Sequence, residues 1–269
     1  MRTAENSATH LLPHLQPALQ KNPHLRLLDV GAGPGTLSAS LAKHLLPHGH
    51  VVAIDISDAV LARAEEHATT LSVQDHMTFQ KASVYALPFA DGEFDVVHAH
   101  QVLCHLDAPV DAVREMLRVC KPRGGGLLAL READVQQMWC VWPQIPALGR
   151  FHDLMAATLV ANGGQEMGGR RLVSWLLEAG VGRGEIEAGF GTSCYSTPKD
   201  RRDWGEAMIE RLRTGQMRDK GIELGITTEE GIDEMVEGWQ EWIEAADATL
   251  GIMNGEVIVI HRKARKRVT

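Results

Sequence analysis

An apolar run that ends in three closely spaced glycines constrains this chain more than any other feature. LRLLDV at residues 25–30 is followed by the loop GAGPG and then by TLSASLAKHLL. A short continuous apolar run before glycines reads as a strand buried on both faces, as in parallel sheets. Leu37, Leu41 and Leu45 then fall on one helical stripe. A strand, a tight glycine loop and a helix open an alternating α/β arrangement, and the rest of the chain continues it. Strands are expected at 50–55, 76–82, 94–99 and 125–132. A helix capped by Ser57 should run to Thr70, and another should start at Pro109 with Val110, Val113, Leu117 and Cys120 inward. Further strands are read at 185–191 and 256–261, which makes seven. The fold class is α/β, a doubly wound and mostly parallel sheet.

The division along the chain follows. Residues 1–24 form an N-terminal helix broken by prolines. Residues 25–196 form an α/β core in which 133–168 is a substrate-side segment. Residues 197–252 are helical, far longer than a connection needs, and are read as an inserted cap. Residues 253–269 hold the last strand and a basic tail.

The loop itself limits its ligand. A dinucleotide fingerprint is G-x-G-x-x-G, with backbone N–H groups aimed at a pyrophosphate. Here Gly31, Gly33 and Gly35 give G-x-G-x-G, Thr36 stands where the third glycine belongs, and Pro34 removes one N–H. No P-loop lysine follows. The loop therefore suits a ligand that comes close without presenting phosphate. Asp29, just before it, is placed either to accept from an ammonium group or to fix the loop's own N–H groups. Asp55, at the end of the second strand, stands where an acid accepts both hydroxyls of a ribose. A nucleoside without pyrophosphate is the combined reading.

Charge and cysteine usage exclude other classes. The net charge is −8, which argues against nucleic acid as a partner. Residues 221–261 hold ten acids and no Lys or Arg, read as a solvated helix face, and 262–267 hold five basic residues, read as a solvated end. Cys104, Cys120, Cys140 and Cys194 show neither CxxC nor metal spacing, so no metal is expected. Thiols without a disulfide framework fit a reducing, cytoplasmic compartment. No apolar run is long enough to span a membrane. A monomer or homodimer without membrane insertion is expected.

Four segments carry a family resemblance: LLDVGAGPGTLS, VVAIDIS, ALPFADGEFDVVHAHQVLCHL and MLRVCKPRGGGLLALRE. In this order and spacing the chain resembles the class I S-adenosylmethionine-dependent methyltransferases, in the branch of ubiquinone/menaquinone-biosynthesis-type and small-molecule enzymes. RTAENSATHLLPHL and GRRLVSWLLEAGV are similar to a fungal and actinobacterial subgroup. The resemblance implies a Rossmann-like methyltransferase fold with S-adenosylmethionine as cofactor and S-adenosylhomocysteine as product. It implies that Gly31, Ala32 and Gly33 meet the methionine part, Asp55 the ribose, and Ile56 the adenine face. Ala82, Ser83 and Val84 would meet the adenine edge, His100 and Gln101 the methionyl side, and His105 the methyl group. The family usually has Asp where Ser83 stands; a hydroxyl accepts more weakly than a carboxylate. It also usually has a segment before RTAENS that helps cover the cofactor, so a more open site, a shortened chain or an alternative start is expected here.

Methyl transfer asks the protein to position a nucleophile and, when that nucleophile arrives protonated, to take its proton. His98, His100 and His105 cluster after the fourth strand, and His105 is the best placed as base. Met138, Trp139 and Trp142 could wall a planar or cationic acceptor, or pack the cap. Trp239 and Trp242, with Ile232, Val236, Ile243 and Ala246, make an apolar helical stripe for packing. Arg170 and Arg171 are read as pairing with acids. The expected reaction moves a methyl group to oxygen, nitrogen or carbon of a small organic molecule such as a secondary metabolite or quinone-like compound. The rivals are a nicotinamide-dependent oxidoreductase, arsenite methylation, and a protein that binds the cofactor without methylating, such as a cyclisation catalyst or regulatory subunit.

Overall fold

The computed structural model describes residues 2–122, 125–136 and 139–260. Met138, His261 and the basic tail therefore lie outside the described residues. Two short helices, α1 (Ala4–Ser7) and α2 (Leu12–Lys21), precede β1 (Arg26–Val30) and α3 (Thr36–Leu45). Then come β2 (His50–Asp55), α4 (Asp58–Thr70), β3 (Met77–Lys81), β4 (Val96–His100), α5 (Pro109–Val119) and β5 (Leu127–Ala133). The second half comprises β6 (Trp139–Trp142), α6 (Pro146–Ala161), α7 (Gly168–Glu178), β7 (Ile186–Tyr195), α8 (Pro198–Thr214), α9 (Gln216–Glu223), α10 (Glu229–Glu244) and β8 (Thr249–Ile260).

The described strands form one sheet in the order β3-β2-β1-β4-β5-β8, with β7 and β6 both paired to β8. β1 to β5 are mutually parallel and β8 is antiparallel. The order reverses between β1 and β4, which places the ligand crevice outside the carboxyl ends of those two strands. The glycine loop follows β1, and Gln101 follows β4, so both sit at that switch point.

The sheet has eight strands rather than the expected seven, and β8 begins at Thr249 rather than at residue 256. Residues 249–252, read as cap, are strand. Gly251 and Gly255 interrupt the apolar pattern that would have announced it. Gly255 is required by a close crossing: a Cβ there would lie 2.0 Å from the Gly169 carbonyl oxygen at the start of α7. The early start of β8 creates an edge on which β6 pairs, Cys140 opposite Gly251 and Trp142 opposite Thr249.

Two apolar layers cover the sheet. One includes Leu28, Val97, Leu128, Val113 and Trp175; the other includes Leu27, Leu41, Val51, Val96 and Leu15. A third cluster builds the cap around Phe151, Met208, Leu212, Trp239 and Trp242, and it reaches the sheet through Ala133 and Val135 at the end of β5. Full burial of one such side chain is worth roughly 1.5–3 kcal/mol, so the cap is a packed unit. α8 and α10 start on side-chain caps: Thr197 accepts from the Asp200 N–H at 3.2 Å and Thr228 from the Gly231 N–H at 3.1 Å. α10 buries Ile232, Val236, Trp239 and Trp242, while Glu229, Glu230, Asp233, Glu234, Glu237, Glu241 and Glu244 are exposed. The acidic run is thus the solvated face of an amphipathic helix. Ala246, expected on the apolar stripe, lies past the end of α10 and is exposed. Among the described residues no helix is long and apolar enough to cross a membrane.

Candidate active site

The loop after β1 is anchored from the neighbouring strand. The Ala32 N–H donates to the Ile54 carbonyl at 2.9 Å, and the Gly33 N–H donates to Asp55 Oδ2 at 3.1 Å. The other oxygen of Asp55 accepts from the Ser57 N–H at 3.1 Å. Gly33 has φ of +55°, and a Cβ placed on it would meet nothing within 4 Å. The loop at that point is therefore bent by backbone conformation and faces open space, as a close-approaching ligand needs. Ile56, next to Asp55, is 72% exposed. An apolar side chain left bare beside a half-buried carboxylate fits an adenine face beside a ribose. These residues fit S-adenosylmethionine: room over Gly33, an acceptor in Asp55 and an apolar platform in Ile56.

Ala82 and Ser83 continue that edge. The Ala82 N–H donates to the Asp55 carbonyl at 3.1 Å, and Ser83 is exposed. Val84 is 8% exposed and packs into the core with Val30 and Ile54. Its side chain is turned away from the edge, because the chain there alternates between surface and core.

Asp29 differs from both sequence readings. It is 3% exposed, accepting from Ser38 Oγ at 2.5 Å and from His98 Nδ1 at 2.7 Å. Both oxygens accept from side chains inside the fold, and neither bond is to an N–H of the loop. His98 is fully buried against it and is removed from the set of bases. The alternation that puts His98 and His100 on one face holds, but that face is covered at His98.

His100 ends β4 with its Nδ1 buried and without a partner among the described residues. Burial pushes its pKa well below the ordinary histidine value, with Arg2, His98 and Arg131 adding to the effect. Gln101 follows with φ of +55°, an uncommon value for a residue with a side chain. It is held there on three sides. Its N–H donates to the Arg131 carbonyl at 2.7 Å, its Nε2 donates to Asn254 Oδ1 at 3.2 Å, and its Oε1 accepts from Arg2.

His105 closes a single turn, Leu103–His105, and is exposed at the crevice. Desolvation lowers its pKa first, then the charges of Arg211 and Arg2. A neutral imidazole at this edge can accept a proton. The turn is fixed by Glu132, a residue that the sequence reading did not single out. Glu132 is 0% exposed and accepts from the N–H groups of Val102 at 3.0 Å, Leu103 at 2.9 Å and Cys104 at 3.1 Å. Burial pushes its pKa up, against those three N–H groups. The signal was an acid at the end of an apolar strand, LLALRE, where a charge is costly unless it is hydrogen-bonded.

Trp139 and Trp142 do not form a wall. They are three residues apart on β6 and so face opposite sides. Trp139 packs with Phe151 and Trp239 in the cap core at 5.9 and 5.8 Å between centroids. Trp142 is 56% exposed on the other side, its Nε1 donating to Asp247 at 3.0 Å. Arg170 pairs with Asp134 at 2.5 Å, and Arg171 lies over the Trp175 ring at 5.3 Å. Among the described residues no group of three His, Cys, Asp or Glu could hold a metal ion.

Comparison with known proteins identifies the family and the fold. A family described as "Methyltransferase domain" matches residues 28–128. An uncharacterized methyltransferase of Schizosaccharomyces pombe is 30% identical over 266 residues, covering 96% of this chain and 90% of that protein. The ubiquinone/menaquinone biosynthesis C-methyltransferase UbiE of Roseobacter denitrificans is 28% identical over 146 residues, 54% of each chain. The solved structure of a Bacillus halodurans protein described as a methyltransferase aligns with a TM-score of 0.56 at 18% identity, covering 93% of this chain and all of that one. That likeness concerns the fold.

Proposed function

We propose an acceptor chemistry for this chain, which belongs to the class I S-adenosylmethionine-dependent methyltransferase family. Membership carries the general activity: methyl transfer from S-adenosylmethionine to a small organic molecule. When bound, the cofactor supplies an electrophilic methyl group on a sulfonium. The acceptor atom we assign is oxygen first, then nitrogen, then carbon, in a secondary metabolite or quinone-like compound.

The observation that supports a base-assisted transfer is His105 on its Glu132-held turn. A hydroxyl or phenol arrives protonated, and transfer then needs a base at the crevice. His105 lies there, its pKa lowered by partial desolvation first and then by the charges of Arg211 and Arg2. Asp55 and the loop from Gly31 to Gly33 bind and orient the cofactor from the other side of the switch point. The cap over the end of β5 excludes water and selects the acceptor. We further propose a cytoplasmic monomer or homodimer. The compartment is supported by four cysteines without disulfides, two of them exposed.

Two measurements test the reading. Thermal stability is followed with S-adenosylmethionine, S-adenosylhomocysteine, NAD and NADP; saturation at a hundredfold the Kd adds about 2.7 kcal/mol. Only the adenosyl-sulfur compounds should stabilise the protein, and stabilisation by NAD alone would overturn the proposal. Methyl-labelled cofactor is then offered with phenols, amines and carbon acids. Cofactor binding with no transfer to any class would instead support the non-methylating rival.

A further inference from the structure

Asn254 is a polar residue in an apolar series. Leu250, Ile252 and Asn254 are the buried places of an alternating run on β8, and Asn254 is 3% exposed. A buried amide costs stability unless it is hydrogen-bonded. Its Oδ1 accepts from Gln101 Nε2 at 3.2 Å. The bond spans the end of β5, which lies between β8 and β4 and places Ala133 opposite Asn254. The direction of the bond is set from the other end of the same amide. Arg2 donates to Gln101 Oε1. A guanidinium carries donors only, so the Gln101 oxygen faces Arg2, its nitrogen faces Asn254, and the Asn254 oxygen accepts.

That bond acts on a corner that touches the glycine loop. Gln101 takes φ of +55° just past the end of β4. A residue with a side chain is strained there and persists only where its surroundings hold it. Glycine would adopt the same backbone without that cost, so the strain is the cost of keeping a side chain that ties β4 to β8. The next residue carries the corner to the loop. A Cβ on Gly31 would lie 2.5 Å from Val102 Cγ2, so Val102 packs directly against Gly31. Glu132 holds the same corner by a different part, accepting from the Val102 N–H at 3.0 Å. Asn254 holds the side chain of Gln101, and Glu132 holds the backbone that follows it. From Asn254 to Gly31 the path is one hydrogen bond, one peptide bond and one van der Waals contact.

We propose that Asn254 is a positioning residue for the cofactor site. By holding the Gln101 amide it sets the corner after β4, and with it the wall that Val102 presents to the glycine loop. Asn254 acts through Gln101 rather than by touching the cofactor itself. This rests on the methyltransferase reading of that loop.

The test is a double-mutant cycle read by titration calorimetry with S-adenosylhomocysteine. Asn254→Leu continues the apolar series of Leu250 and Ile252 and removes the acceptor. Gln101→Ala removes the amide. Losing a buried hydrogen bond of this kind is worth about tenfold in affinity, so each single variant should bind about tenfold more weakly. The double variant should also lose only about tenfold, because residues that act as one unit do not add. Asn254→Asp keeps an acceptor at the same place and should stay within about threefold of the wild type. Thermal unfolding of every variant is followed alongside, since a purely structural role would lower stability and leave affinity in place. A loss of roughly a hundredfold in the double variant, the additive result, overturns the proposal. So does unchanged affinity in either single variant, or Asn254→Asp binding as weakly as Asn254→Leu. If Asn254→Leu does not fold, Asn254→Asp decides: affinity near the wild type supports the proposal, and a loss of about tenfold overturns it. A wild-type protein that binds no S-adenosylhomocysteine overturns the methyltransferase reading and this proposal with it. A wild type that binds it, with an additive cycle, overturns this proposal alone.

Discussion

Asp55 and Gly33 share one hydrogen bond, the Gly33 N–H donating to Asp55 Oδ2 at 3.1 Å. A single carboxylate thus shapes the loop and presents its remaining acceptor capacity to the crevice. Replacement should weaken cofactor binding by two routes, lost ribose contact and a looser loop. Hydrogen bonds to charged groups contribute about 1.5–3 kcal/mol, so Asp55→Ala should raise the Kd for S-adenosylhomocysteine roughly 10- to 100-fold. Calorimetric titration reads this directly, and an unchanged Kd would remove Asp55 from the cofactor site.

The two tryptophans of β6 should behave oppositely. Trp139 fills the cap core against Phe151 and Trp239, so Trp139→Ala should cost about 3–5 kcal/mol of folding stability. Trp142 is more than half exposed, and Trp142→Ala should stay within about 1 kcal/mol, the worth of its bond to Asp247. Urea unfolding of the two variants decides it. A reversed order would reinstate Trp142 as a packed residue.

His10 should make the protein acid-sensitive. Its side chain is 7% exposed, Glu256 is 3.7 Å away, too far for a hydrogen bond, and burial lowers its pKa to about 3. In the unfolded chain it titrates near 6.5. The folded state thus favours neutral imidazole. That contribution is complete above pH 6.5 and is lost as pH falls from there towards 3, by about 1.4 kcal/mol per pH unit. Between pH 6.5 and 4.5 the wild type should lose roughly 2 kcal/mol more than His10→Leu. Parallel denaturation curves at the two pH values check the difference; equal losses would show His10 solvated.

The glycine loop and the acid that anchors it were legible because they are local. Gly31, Gly33, Asp55 and Ile56 lie within one strand–loop–helix–strand stretch, and their geometry follows from chain order alone. The partners of Gln101 were not: its Nε2 meets Asn254 on antiparallel β8 and its Oε1 meets Arg2 at the start of the chain, pairings that only the long-range fold supplies. The pairing of Asp29 with His98 was hidden for a related reason: a carboxylate and an imidazole on adjacent strands meet at 2.7 Å, and only the β1–β4 register shows it. β6 and the first half of β8 were missed because Gly251 and Gly255 broke the periodicity, although Leu250, Ile252 and Asn254 keep the buried alternation.

Glu132 is the positioning residue behind His105, and its variant separates positioning from mere stability. Glu132→Gln keeps the size but leaves one amide oxygen to serve three N–H groups, with its own NH₂ facing donors. Each buried donor left unsatisfied costs about 1–3 kcal/mol, so stability should fall by about that much. Because the turn carries His105, the pH dependence should also change. In the wild type, desolvation, Arg211 and Arg2 hold the His105 pKa below 6.5, so kcat/KM should decline on the acid side only below that value. His105→Ala should remove this acid limb, and Arg211→Gln should move it upward by withdrawing a neighbouring charge. Glu132→Gln should lower kcat and shift the limb toward 6.5 as the turn loosens and the imidazole gains water. A Glu132→Gln enzyme that loses stability while its pH profile stays in place would confine Glu132 to the fold.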